Sequence, residues 1–352
     1  MNNHLNFSMM KLIQALTPLL FTTGLLFANL EKELQTQFIL AASGDTITIP
    51  KGHHKIQGTL SIEGKENLVI QGVGMDVSIL SFSNQSEGAQ GISITNSKNI
   101  TLEKFTIQDS KGDAIKAQYT DGIIFRHVKV EWTGGPKETN GAYGLYPVQC
   151  ENVLIEHSIS IGASDAGIYV GQSNNIVVRY NEAFENVAGI EIENSYNAEV
   201  YENYSHGNTG GILVFDLPDL IQKQGGNVRV YNNRIESNNL FNFAPKGNIV
   251  GKVLPGTGIM ILACSDVHIF GNTIRNNKSI GTGIVSYFMT EEAIKDSLYN
   301  PYTADIHIYN NVYDRWPGFP ELGFDIGKLL AVKYGRNTPD IIYDGMQDPE
   351  IQ

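Results

Sequence analysis

The chain has 352 residues, 36 of them glycine, with 41% hydrophobic and 18% charged. That is ample for a large core but long for one ordinary globular domain, unless the chain is a repeat array. A formal net charge of -12 argues against a nucleic-acid partner and makes a polyanionic substrate unwelcome without local cations.

Residues 1–28 read as an export signal. Lys11 supplies the positive start, and Leu12 to Ala28 is an apolar run broken by Thr17, Pro18 and Gly24, too interrupted for a membrane span of about 20 apolar residues. The expected location is periplasmic or extracellular, with no membrane span after cleavage. Residues 29–43 read as a capping helix, because Leu30, Leu34, Phe38 and Ala41 share one helical face. An open stack of strands needs such a lid.

From residue 44 to 315 the chain repeats itself. Gly144-Leu-Tyr-Pro-Val-Gln, Gly167-Ile-Tyr-Val-Gly-Gln, Gly189-Ile-Glu-Ile-Glu-Asn and Gly211-Ile-Leu-Val-Phe-Asp follow at spacings of 23, 22 and 22 residues. Each runs into a second strand opened by Asn152, Asn175, Asn197 or Asn227. Such a period fixes the architecture before any single residue is read. It holds three short strands and three turns, with anchors expected inward at Ile70, Ile92, Ile115, Leu145, Ile168, Ile190, Ile212, Ile259 and Ile284. Asn181, Asn203, Asn233, Asn272 and Asn311 recur at one turn, and Asn186, Asn208, Asn238 and Asn277 at another. Amides stacked one coil apart satisfy each other.

Cys150 and Cys264 share a column with Ser97, Ser173 and Ser195 but lie four coils apart. At about 4.8 Å per coil that is roughly 19 Å, and a disulfide needs Cα atoms within about 7 Å. Both are expected as free thiols. Residues 316–352, with Trp316, Pro317, Pro320, Pro339 and Pro349, break the repeat and read as an irregular cap or a docking tail.

The Gly-Ile-x-Ile, Asn-Ile-x-Val and Asn ladder resembles the right-handed parallel β-helix family, the pectin-lyase-like superfamily. Phe215-Asp-Leu-Pro, Asn242-Phe-Ala-Pro-Lys-Gly-Asn-Ile-Val and Pro339-Asp-Ile-Ile-Tyr-Asp-Gly bring it closest to exported tandem β-helix repeat proteins of unassigned function. The superfamily holds polysaccharide lyases, hydrolases and epimerases alongside non-catalytic adhesins, so the resemblance implies an all-β, single-stranded solenoid of about ten coils and leaves the reaction open.

Insertions at 132–143, 216–226, 239–257 and 288–304 flank the Gly-Ile strand column from both sides, as walls do around a groove. The outward residues of that floor are expected as Ser93, Lys116, Tyr146, Tyr169, Glu191, Leu213, Met260 and Val285. Val148, Gly171, Glu193, Phe215, Leu262 and Tyr287 stand two positions on, edged by Gln149, Asp165, Gln172, Asn194 and Asp216. Tyrosines, carboxylates and amides suit a sugar chain, and an envelope protein could use the same surface.

Three chemistries compete there. Glu191 and Glu193, two apart on a strand, put their Cα atoms about 7 Å apart, compatible with an inverting glycosidase's carboxyl pair. Tyr143-Gly-Leu-Tyr-Pro-Val resembles the Y-G-F-D-P-H signature of mannuronan epimerases, but Tyr146 replaces its Asp and Val148 its His, removing two of its catalytic groups; Lys116, one coil below Tyr146, lies about where a related or decayed elimination or epimerisation site wants a basic residue. His268 with His307, and His127 with His157, are stacked pairs without a third ligand. The candidate catalytic residues are therefore Lys116, Tyr143, Tyr146, Tyr169 and Glu191. Substrate contacts are expected from Asp165, Gln172, Glu193 and Asp216. No cofactor is marked, although calcium would suit a uronate-handling site. A non-catalytic glycan- or protein-binding scaffold is the competing reading.

Overall fold

The computed structural model describes residues 30–349, so the expected export segment lies outside the described residues. Two parallel sheets wrap a single core. The smaller has ten strands, rising from Leu60–Glu63 through Ile92–Thr95, Ile115–Gln118, Tyr143–Val148, Ala166–Gly171, Ala188–Glu193, Gly210–Phe215, Thr257–Leu262 and Ile280–Val285 to Ile341–Tyr343. The larger has eighteen strands and carries the other two strand columns of each coil. These two columns join where Lys98–Gln108 and Asp121–Glu131 pass through the bend at left-handed Lys104 and His127. The expected all-β solenoid is thus the fold.

The glycine that opens each Gly-Ile strand is there for close approach. A Cβ on Gly144 would stand 2.4 Å from the carbonyl oxygen of Gly167, and one on Gly189 or Gly211 would stand 2.7 or 2.5 Å from the next glycine's oxygen. Any side chain would push the coils apart. Behind it the inward positions stack in register, Leu60–Ile92–Ile115–Leu145–Ile168–Ile190–Ile212–Ile259, all essentially inaccessible.

Two anchors differ from expectation. Ile70 belongs to Glu66–Gln71 in the larger sheet, and Leu60 holds the first place in the column. Ile284 pairs with Ile261, so Thr282 faces Ile259 and bonds the Tyr313 hydroxyl at 2.8 Å. The slip of two moves the floor residues as well: Gly283, not Val285, follows Met260, and Val285, not Tyr287, follows Leu262. Tyr287 lies in the short 3₁₀ turn Tyr287–Thr290.

The asparagine ladders are present. In one, Asn181, Asn203, Asn233 and Asn272 each donate Nδ2 to the Oδ1 of the next, ending at Asn311, with distances of 2.9–3.0 Å. The other runs Asn186, Asn208, Asn238, Asn277. Each Oδ1 also accepts the next lower coil's backbone N–H, so one amide serves a turn that would otherwise bury unpaired groups. Cys150 and Cys264 are free and buried. The Cys150 N–H donates to Ser173 Oγ at 3.0 Å, and Ser173's own N–H to Ser195 Oγ, as their shared column requires.

A helix, α1, spans 30–40 and seats Leu34 and Phe38 in the core of the first coil. The Glu31 carboxylate accepts from Gln57 and Gly58 N–H, and Gln35 bonds both the N–H and the carbonyl of Ser61. At the other end the tail does more than cap. Helix α2, Asp325–Tyr334, lies over the sheet, and Ile341–Tyr343 then joins it as the tenth strand, paired with Ile280–Val285. The prolines bracket these elements and leave the three-residue strand free to pair. No helix among the described residues is long and apolar enough to cross a membrane.

Candidate active site

The outward face of the ten-stranded sheet changes along its length. Ser61 is exposed, and Ser93, Lys116 and Tyr146 are half-buried. Tyr169, one coil further, is only 4% exposed, Glu191 1%, and Leu213 is fully covered. The insertions here do not line an open floor. Segment 239–256 folds over it, and Phe243, Val250 and Val253 pack with Tyr169, Leu213, Phe215 and Leu262 into a second apolar cluster. The expected groove is therefore open over the early coils and closed from Tyr169 to Phe215.

At the boundary three tyrosines meet. Tyr143 lies 4.5 Å from Tyr146 and 4.4 Å from Tyr169, centroid to centroid, and Tyr146 meets Tyr169 edge-on at 5.0 Å. Lys116 Nζ stands 5.3 Å over the Tyr146 ring, within reach of a cation–π contact. Their hydroxyls meet carboxylates. Tyr169 donates to Glu193 at 2.6 Å, and Tyr143 reaches Asp165 at 3.5 Å. Asn248, at the start of the 3₁₀ turn Ile249–Lys252, donates to the same Asp165 oxygen at 3.0 Å. Glu191 Oε2 is buried without a hydrogen-bond partner among the described residues.

This crowding sets the protonation. Burial, then the Glu193 charge, pushes Asp165 up to about 7 against the pull of Asn248. Burial likewise pushes Glu193 up to about 7, with Tyr169 holding it back. Burial and the charges of Asp165 and Glu193 carry Glu191 well above the carboxylate range. Removing a charge from water in a site already negative favours the protonated acid. For the same reasons Tyr143 and Tyr169 are held well above an ordinary phenol. Asp113, on the Lys116 side, is raised by burial while Lys116 draws it down.

Lys116, Tyr143, Tyr146, Tyr169, Asp165, Glu191 and Glu193 thus come together. Gln172 and Asp216 do not join them. Gln172 Oε1 accepts from Ile221 and Gln222 N–H, at 3.1 and 3.3 Å, and fastens the 216–226 loop. Asp216 Oδ2 accepts from Gly225 N–H at 2.9 Å under that loop, with burial raising its carboxyl to about 7. Asn248 and Asp113 are the residues that sequence reasoning missed. Asn248 was inside a segment singled out as an insertion, but nothing in an insertion's sequence says where it folds back. Among the described residues no group of three or more His, Cys, Asp or Glu is arranged to hold a metal ion, and His268 and His307 stack at 4.5 Å as a pair.

Residues 90–239 match the family model described as the right handed beta helix region. A comparison with curated proteins finds no match. Similar solved structures include the A-module of a mannuronan C-5 epimerase of Azotobacter vinelandii, 15% identical, covering 81% of this chain and 92% of that one with a TM-score of 0.46. Others are a Paenibacillus alginate lyase (13%, 81% and 95%, 0.42) and the DFA-IIIase of Arthrobacter chlorophenolicus (12%, 92% and 89%, 0.48). With ten stacked strands and glycine contacts at the coil spacing, the chain has the fold of a right-handed parallel β-helix, and its residues 90–239 match the model of that region.

Proposed function

We propose that this β-helix is a carbohydrate-active enzyme of the cell envelope that works by acid–base hydrolysis at the closed end of its groove. The observation that carries the reading is the buried trio Asp165, Glu191 and Glu193 behind a tyrosine wall, with burial raising Asp165 and Glu193 to about 7 and Glu191 well above the carboxylate range. A carboxylic acid still protonated near neutral pH is what a leaving glycosidic oxygen needs, and a neighbouring carboxylate can assist water. Asp165 and Glu193 are the candidate acid and base, and Glu191, held protonated by burial and by their charges, stands beside them as a neutral acid. Tyr143 and Tyr146 offer ring faces to a sugar, and Lys116 sits at the entry.

Elimination or epimerisation of a uronate is less well served. Its base would be a tyrosine, and these tyrosines are held above their ordinary range, away from the operating pH that favours a base. A uronate carboxylate would also approach a cluster of acids with one lysine nearby. The preferred substrate class is therefore a neutral glycan. Placement in the periplasm or outside the cell rests on Lys11 and the apolar run from Leu12 to Ala28.

The test is a panel of neutral and uronate polysaccharides, read both as new reducing ends and as ultraviolet absorbance of unsaturated products. Expected is reducing-end release that declines above pH 7 and falls about 10²–10⁴-fold in Glu193→Gln. Unsaturated product would overturn hydrolysis in favour of elimination. No turnover, with glycan or protein binding that Tyr146→Ala abolishes, would make the protein a scaffold, a reading that the covered floor beyond Tyr169 favours.

A further inference from the structure

The last coils carry a second cavity, away from the acid cluster. Between the outward face of Thr257–Leu262 and Ile280–Val285, segment 239–256 and helix α2 lies a cleft of about 320 Å³. Its walls are apolar: Phe215, Met260, Leu262 and Val285 from the sheet, Val253 from the insertion, Leu330 from α2. That volume is at the lower end for small-molecule sites, about 300–1,000 Å³. It admits one alkyl chain rather than a peptide helix, which with its side chains is about 10 Å across.

One residue of the floor leaves the cleft room. The floor column that reads Glu191, Leu213 and Met260 continues at Gly283. A Cβ there would meet Ile280 Cγ2 at 3.5 Å and Met260 Cε at 3.9 Å, ordinary contact distances, and the backbone is not left-handed. Neither crowding nor conformation requires glycine at this place. Its effect is a missing side chain, which keeps the floor open beneath α2.

The polar groups at the rim have one sign to spare. Lys252 is occupied, bonded to the Thr290 carbonyl and to Glu292 at 2.7 Å. Asp344 is turned to the Ser286 N–H and hydroxyl, both at 2.7 Å. Lys333 forms no ion pair among the described residues and rests 5.2 Å over the Tyr334 ring. A free cation at the mouth of an apolar cleft, in a chain of net charge -12, calls for a ligand with one apolar chain and one anionic head.

We propose that this cleft binds a single-chain anionic amphiphile, its chain against Met260 and Leu330 and its head at Lys333. Calorimetric titration of the full chain with dodecanoate below its micelle concentration tests this. Dodecyl maltoside, with the same chain and a neutral head, is the comparison. Expected is one dodecanoate per chain, bound about five-fold tighter than the maltoside, with that preference lost in Lys333→Gln. Gly283→Leu should abolish binding of both while melting no lower than the native chain, which separates filling from unfolding. No saturable dodecanoate binding overturns the proposal, as does undiminished binding to Gly283→Leu. Equal affinity for the two head groups removes the anionic head and with it the ligand class.

Discussion

The early and late coils share one core and have opposite outer faces. Inside, Ile92 and Ile212 are equally buried and lie in the same column. Outside, Ser93 and Lys116 remain half-open, whereas Leu213 and Phe215 are sealed beneath segment 239–256. The repeat governs only what faces inward, because each coil must match its neighbour there. What faces outward is set by the insertions, and they turn half of the surface into a second core. The acid cluster sits where one regime becomes the other.

Substituting outward residues on either side of that boundary is the hardest test. Phe215→Ala should cost about 3–5 kcal/mol, as a core truncation does, although the residue points away from the solenoid axis. Ser93→Ala should change stability by less than about 0.5 kcal/mol. Urea midpoints measure both, and a small loss for Phe215→Ala would mean the late coils are as open as the early ones.

The amide ladders draw a second contrast. Asn208 Oδ1 accepts from both the N–H and the Nδ2 of Asn186, in a turn with no access to water. Asn208→Ala strands both donors and should cost about 2–3 kcal/mol. Asn67, whose Oδ1 accepts from Asn99 Nδ2 at 2.9 Å on an exposed edge, can be replaced by water at its partner, and Asn67→Ser should fall below about 1 kcal/mol. Equal losses in chemical denaturation would show that the ladders act through the backbone turn and not through burial.

How far the sequence could be read follows the same division. The inward column, the ladders, the free cysteines and helix α1 were legible because each obeys a local period or a spacing. The sequence also gathered Tyr143, Tyr146, Tyr169, Glu191 and Glu193 onto one face, since register alone does that. It could not show that the face is covered. Phe243 and Val250 in the insertion look like ordinary loop hydrophobics until the loop folds back, and Asn248 meets Asp165 across 83 residues. The slip at Thr282 was hidden for a related reason: Thr282-Gly-Ile284 imitates the motif two residues late, and only pairing with Ile259 exposes it.

The boundary also has a pH signature. Asp165, Glu193 and Asp216, raised to about 7 by burial, hold protons that the unfolded chain releases near pH 4. The folded state therefore binds more protons between pH 4 and 7, and stability falls across that window as pH rises. On the early coils Glu156 behaves oppositely. Burial raises it, but Arg126 at 2.6 Å and Arg179 at 2.7 Å prevail and hold it below its usual range. Its contribution is present above the unfolded pKa and is lost as pH drops through the lower folded value. Calorimetric melts should peak near pH 5 and decline toward pH 8. Glu191→Gln should recover roughly 2 kcal/mol at pH 8 and little at pH 5, and an identical gain at both would assign the effect to packing.

The smallest effects belong to the cysteines, which lie one on each side of the comparison. Cys150 stands in a column with Ser97, Ser173 and Ser195, its N–H bonded to Ser173 Oγ and its thiol facing the Val148 and Ala117 carbonyls at 3.4 Å. A serine hydroxyl would find the same acceptors, so Cys150→Ser should shift stability by less than about 1 kcal/mol. Cys264 lies beneath the 216–226 loop beside the Asp216 carboxylate, and burial and that charge push its thiol well up. A serine there would give the unpartnered Asp216 Oδ1 a better donor than a thiol, so Cys264→Ser should be neutral or slightly stabilising. Thiol labelling of the unreduced protein should count none quickly when folded and two in denaturant. No labelled thiol in denaturant would mean a disulfide, with Cys150 and Cys264 closer than four coils of stacked strand allow.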